Sequence, residues 1–133
     1  MEVGMVPPVI VVIDDDPDIL DFMQLLLTEA QYRMTRWRTA AGAHALICRE
    51  QPDLVILDLH LEYREAGWAL LDRLCADART TRIPTIMYSS AREFLRAHGE
   101  ALRSRGCRAV VKPFAPDHLL TEIRGVLGQQ HAA

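Results

Sequence analysis

The chain has 133 residues, half of them hydrophobic and a quarter charged, with a net charge of −3. That balance belongs to a globular domain with one sizeable core, and it gives no general attraction to nucleic acid or to an anionic membrane. No apolar run approaches the ~20 residues that span a bilayer, and the first residues lack the basic and apolar regions of a signal peptide. Cys48, Cys75 and Cys107 have no CxxC or CxxH spacing. They read as reduced thiols of a cytoplasmic protein, with neither pairing nor zinc expected.

Taken in order, residues 1–8 form a lead-in, because Pro7 and Pro8 bar regular pairing. Residues 9–13 are an unbroken apolar run, which fits a strand buried on both faces of a parallel sheet. Three carboxylates follow, Asp14, Asp15 and Asp16, and then Pro17 opens an amphipathic pattern. Asp16 is the expected N-cap and Pro17 the first helical residue. The first helix is predicted over 17–30, with Ile19, Phe22, Met23, Leu26 and Ala30 as its stripe and Leu20 and Leu27 beside it.

Residues 32–37 read as a second strand, and Arg33, Arg36 and Arg38 mark it as an outer one. A helix over 41–50, a strand over 54–58, a charged loop over 60–66 and a helix over 67–78 come next. A fourth strand over 85–89, a helix over 92–105, a fifth strand over 108–112 and a helix from Pro116 complete the order. Gly128 is expected to end that helix, leaving 129–133 as a tail. Five β-α units imply an α/β fold, a doubly wound parallel sheet of flavodoxin-like order 2-1-3-4-5. One domain is expected over 1–133, with its core at about 9–127.

Such a sheet gathers strand ends at one crevice. The first strand brings Asp14 and Asp15, and the third brings Asp58, a cluster of hard oxygens suited to Mg²⁺. The fourth strand adds Ser89 and Ser90, and the fifth adds Lys112, ahead of Pro113 and Phe114. A carboxylate nucleophile, a metal, a hydroxyl and an ammonium make a phosphoryl-transfer set.

On these four motifs, in this order, residues 9–127 resemble the receiver domain of bacterial two-component response regulators. The resemblance implies that Asp58 is the phosphoacceptor for a sensor histidine kinase or histidine phosphotransfer protein. It implies that Asp14, Asp15, Asp58 and the backbone carbonyl of His60 hold Mg²⁺. Ser89 would be the switch hydroxyl and Lys112 the phosphoryl-binding cation, with Ser90 supporting and a cis Lys112–Pro113 bond directing the lysine. Such a domain is not a turnover enzyme, since Asp58 is modified once per cycle.

The sequence departs from the family pattern in four places, one of them the segment 32–42, which is longer than usual. The loop after Asp58 lacks the usual Met-Pro and reaches its glycine, Gly67, one residue late. Ser90 stands where Ala or Gly is usual. Ala109 stands where an aromatic usually reports phosphorylation, and neither Tyr88 nor Trp68 is expected to replace it; Trp68 is expected to pack at the start of the third helix. A stand-alone domain is expected, with output through a partner or a homodimer on the face of helix 4, strand 5 and the last helix. Direct nucleic-acid and membrane contacts are not expected. The alternative reading is a phosphorylation-independent receiver-like binding module. An enzyme or flavin carrier of the same fold is a further rival, and the chain has no Gly-rich phosphate loop to support it. His44, His98, His118 and His131 read as exposed helix or tail residues, and His60 as a residue beside the acceptor rather than a zinc ligand.

Overall fold

The computed structural model describes residues 6–130. Its elements are β1 (Val9–Ile13), α1 (Pro17–Glu29), β2 (Arg33–Trp37), α2 (Ala43–Glu50), β3 (Leu54–Asp58), α3 (Ala66–Ala76), β4 (Thr85–Ser89), α4 (Arg92–Ala97), α5 (Gly99–Ser104), β5 (Cys107–Val111) and α6 (Pro116–Gln130). All five strands pair in parallel, in the order β2-β1-β3-β4-β5. The strands β3 and β4 are buried throughout, as central strands covered on both faces must be. The arginine-bearing β2 is an edge, and its exposed Arg36 pairs with Asp21 at 2.8 Å.

The period-2 alternation of the strands divides the core in two. Val11, Ile13, Val55, Leu57 and Met87 face one side, where α2, α3, α4 and α5 pack. Ile10, Val12, Leu54, Ile56, Ile86 and Tyr88 face the other, against α1 and α6. Asp16 caps α1, its carboxylate accepting from the Asp18 amide at 2.9 Å, and Pro17 opens the helix.

Four expectations are corrected. The helix predicted over 92–105 is two short helices, broken at His98. His98 Nδ1 donates to the Phe94 carbonyl at 2.9 Å and its ring stacks on Phe94 at 4.0 Å, while Gly99, a poor helix former, follows. The last helix runs through Gly128 to Gln130, because one glycine weakens a helix by only about 1 kcal/mol and two good helix formers follow. On α1 the buried line is Leu20, Met23 and Leu27, and Phe22 is 44% exposed. The apolar arc of this helix is wide, and the sheet selects the line half a stripe away from the predicted one. His44 and His98 are half-buried and partnered rather than exposed. His131 and residues 1–5 lie outside the described residues.

Candidate functional site

The ends of β1, β3, β4 and β5 converge on one acidic crevice. Asp14, just after β1, is fully buried, and each of its oxygens is held. Oδ1 accepts from the Asp16 amide at 2.9 Å. Oδ2 accepts from the Tyr88 hydroxyl at 2.5 Å and from Lys112 Nζ at 3.2 Å. Asp58, the last residue of β3, takes Lys112 Nζ on Oδ2 at 3.1 Å and the His60 amide on Oδ1 at 3.2 Å. One ammonium therefore bridges two carboxylates that arrive from different strands.

The two acids differ in access. The Asp58 side chain is 13% exposed and that of Asp14 1%. Burial raises the Asp58 pKa above the usual carboxylate range; Lys112 pulls it back and the charge of Asp14 adds to the rise. Asp15 is exposed beside them, its carbonyl accepting from Arg38 at 3.1 Å. Carboxylate oxygens of Asp14, Asp15 and Asp58 all lie within 4.8 Å of one another, a spacing and chemistry that fit one hard dication retaining several waters.

Ser89, at the end of β4, is 1% exposed, and its Oγ accepts from the Ala91 amide at 3.0 Å, which leaves its own proton to donate. Its carbonyl accepts from the Lys112 amide at 2.9 Å, so the β4–β5 ladder positions the lysine directly. The Lys112–Pro113 bond is cis, as expected. Ser90 is exposed and lines, with Ile19, Phe22, Pro113 and Phe114, an apolar recess of about 420 Å³ that reaches Lys112.

The crevice floor and this set of strand ends match a known pattern. The family model described as the response regulator receiver domain matches residues 10–124. The chain belongs to that family. Among curated relatives, the receiver chain is 32% identical over 120 residues to the DNA-binding dual master transcriptional regulator RpaA of Synechocystis, covering 90% of this chain and 49% of that one. It is 30% identical over 128 residues to the phosphate regulon transcriptional regulatory protein PhoB of Pseudomonas aeruginosa, covering 92% and 53%. The chain thus spans about half the length of these relatives. Among solved structures, the signal receiver domain of an HD domain-containing protein from Pseudomonas fluorescens is 26% identical with a TM-score of 0.82, covering 99% of this chain and 95% of that one. The receiver domain of a sensor histidine kinase from P. aeruginosa, which has a magnesium ion coordinated in its active-site cleft, shares the fold at 20% identity and a TM-score of 0.78, covering 92% and 98%.

The longer receiver loop after Asp58 is well anchored. Leu59 and Leu61 are buried, and Glu62 reaches across to accept from the Ala40 and Ala41 amides at 2.7 and 3.2 Å. His60 Nδ1 accepts from the Glu65 amide at 3.0 Å. Gly67 sits hard against the end of β3: a Cβ there would stand 2.0 Å from the Asp58 carbonyl oxygen. A glycine is required at this position by close approach, although it comes one residue late.

Tyr88 was missed as a site residue. It is fully buried, its hydroxyl bonds Asp14, and Lys112 Nζ stands 4.2 Å from its ring centroid. Burial first, and then the Asp14 charge, push its phenol far above its usual pKa, so it stays a donor. A signal existed: a tyrosine in an otherwise apolar central strand needs a partner for its hydroxyl, and the strand end offers only acids. Trp68 packs at the start of α3 as expected, edge-on to Phe94 at 5.6 Å. Ala109 is exposed and lies on the floor of a groove of about 390 Å³ between α4–α5 and α6. The sequence reading also missed His44, Cys48 and Asp77, which come together on the opposite face of the sheet from Tyr88. The His-x-x-x-Cys spacing on a helix was the signal.

Proposed function

We propose that this receiver domain accepts a phosphoryl group on Asp58 from a phosphohistidine of a sensor histidine kinase or phosphotransfer protein. The observation that carries the reading is the unequal pair of carboxylates bridged by Lys112. Asp14 is closed to solvent and its two oxygens take three hydrogen bonds, whereas the Asp58 side chain keeps 13% exposure and takes one hydrogen bond on each oxygen. In the transfer, an Asp58 oxygen forms the new P–O bond as the P–N bond breaks, and the leaving imidazole keeps the electron pair. Lys112 shifts from bridging the acids to pairing with a phosphoryl oxygen. Ser89 donates its free hydroxyl proton to another, which draws the β4–α4 turn toward the crevice.

Asp14, Asp15, Asp58 and the His60 carbonyl would hold Mg²⁺. Bound there, the ion would neutralise charge on the phosphoryl oxygens. The magnesium-bearing receiver domain among the fold relatives supports this assignment. The Tyr88 hydroxyl and the Asp16 amide fix the Asp14 carboxylate, which would help it to hold the ion. The apolar recess of Ile19, Phe22, Pro113 and Phe114 beside Lys112 suits the donor helix of the partner. Output would pass through the face of α4, β5 and α6, to a partner or a second copy, in the cytoplasm. No helix among the described residues is long and apolar enough to cross a membrane. The reading includes no direct nucleic-acid contact by these residues; the DNA-binding relative RpaA is about twice as long.

One observation favours a second reading, a binding module whose output ignores phosphate: Ala109 is exposed and small where the groove could host a reporting ring. The test is intact-mass spectrometry after incubation with Mg²⁺ and acetyl phosphate or a phosphorylated histidine phosphotransfer protein. A single phosphoryl adduct, absent without Mg²⁺, is expected. No adduct from either donor, in a protein that binds Mg²⁺, would favour the phosphorylation-independent module.

A further inference from the structure

Helices α2 and α3 assemble a second set of chemically distinctive side chains, none of them among the crevice residues. His44 and Cys48 lie four residues apart on α2 and share one face. Asp77 is the C-cap of α3. His44 Nε2 stands 2.8 Å from Asp77 Oδ2, and Cys48 Sγ stands 3.6 Å from His44 Nε2 and 3.9 Å from Asp77 Oδ2. All three residues are half-buried, and the three donor atoms converge on one point between the helices.

Ligand atoms at ~2.3 Å (sulfur) and ~2.0–2.1 Å (nitrogen, oxygen) from a tetrahedral zinc ion stand about 3.3–3.5 Å apart. The two separations from Cys48 lie within about 0.4 Å of that spacing. The His44–Asp77 pair is a hydrogen bond that must open by about 0.5 Å to admit an ion. We propose that His44, Cys48 and Asp77 form a three-ligand site for a transition-metal dication of the Zn²⁺ type, with a fourth position open to water.

The donor set fixes the class of ion. A thiolate and an imidazole suit Zn²⁺ and Co²⁺, whereas Mg²⁺ and Ca²⁺ prefer oxygen alone. The surroundings already orient the carboxylate: Asp77 Oδ1 accepts from the Arg79 amide at 2.8 Å and from its Nε at 3.2 Å. Arg79 Nη2 also reaches Oδ2 at 2.8 Å, and Arg73 Nη2 stands 3.4 Å from His44 Nδ1. Both arginines are exposed, so an ion on Oδ2 displaces only their mobile tips. Binding releases the Cys48 thiol proton to solvent; with Nε2 on the ion the His44 proton sits on Nδ1, and Arg73 Nη2, which only donates, must turn away from that nitrogen. The two anionic ligands offset the dication, and the two nearby guanidinium charges hold the affinity below that of a closed four-ligand site. An ion here would clamp α2 to α3, in addition to the hydrogen bond from Gln51 to the Arg79 carbonyl at 3.0 Å.

The test is a Co²⁺ titration of the reduced full chain in excess Mg²⁺, which occupies the acidic crevice and makes the result independent of the phosphoryl-transfer reading. Wild type is expected to show a near-ultraviolet thiolate-to-cobalt charge-transfer band at one equivalent, removed by competing Zn²⁺. Cys48→Ser should abolish the band, and His44→Ala should weaken Co²⁺ binding by at least about tenfold. Cys75→Ser should leave both unchanged. Zn²⁺ should raise the melting temperature of wild type and not of Cys48→Ser. Absence of the band in wild type, or its survival in Cys48→Ser, would overturn the site and leave a hydrogen-bonded cluster joining two helices.

Discussion

Strand β5 serves two regions built in opposite ways. Its C-terminal end delivers Lys112 into a crevice where Asp14, Asp58, Tyr88 and Ser89 are buried and each holds a polar partner. Three residues earlier, exposed Ala109 lies open on the floor of a groove between α4–α5 and α6. The phosphoryl transfer proposed for the crevice needs several groups in one fixed geometry, so removing any of them strands a buried charge or donor. A signalling face needs only two packings of similar energy, and many side chains can supply those. The molecule therefore keeps the crevice tightly specified, while the groove proposed as its output face has a bare alanine on its floor.

The contrast can be broken most severely at Gly67. A methyl group there collides with the Asp58 carbonyl, so Gly67→Ala should cost about 3 kcal/mol in urea unfolding. A wild-type midpoint would show that the crevice backbone yields as freely as the groove. Next comes Lys112→Ala, which removes the bridge between the acids and the cation proposed to meet the transferring group. Its phosphorylation rate with acetyl phosphate should fall roughly a hundredfold, measured by intact mass against time. Tyr88→Phe takes one donor from buried Asp14 and should destabilise by about 1–2 kcal/mol, read in the same urea melts.

Asp58→Asn should act in the other direction. The folded-state pKa of Asp58 lies above its unfolded value of 3.8, chiefly through burial. Between those two values the unfolded chain is ionised while the native one still holds its proton, so native stability falls as pH rises through that window. Above it the ionised acid remains a net burden. Without metal at neutral pH, Asp58→Asn should melt roughly 2–4 °C higher than wild type, and Mg²⁺ should narrow the gap. The smallest effect is expected at the groove. Ala109→Tyr should change stability by less than about 0.5 kcal/mol and leave the phosphorylation rate within about twofold.

Much of this was legible in the sequence because strand ends and acids coincide. The runs ending at Asp14 and Asp58 pointed to both the parallel sheet and its crevice; strand ends placed Lys112 and Ser89 beside it, and the family resemblance supplied their expected roles. Tyr88 was not legible in the same way, since its role depends on the β3–β4 register that sets it opposite Asp58. The break at His98 depends on a side chain competing for a backbone carbonyl, which periodicity does not record. The buried line of α1 depended on where the sheet lies, and its wide apolar arc permitted either choice. His44, Cys48 and Asp77 are up to 33 residues apart and meet only because α2 and α3 pack side by side.

The central claim is that the partly accessible Asp58, and not the closed Asp14 or the exposed Asp15, takes the phosphoryl group. Borohydride reduction of the acyl phosphate, followed by peptide mapping, converts the modified aspartate to homoserine and reads its position. The account predicts homoserine at position 58 alone, after treatment with Mg²⁺ and acetyl phosphate. Homoserine at position 14 or 15 would contradict it, as would a phosphoryl adduct that persists in Asp58→Ala.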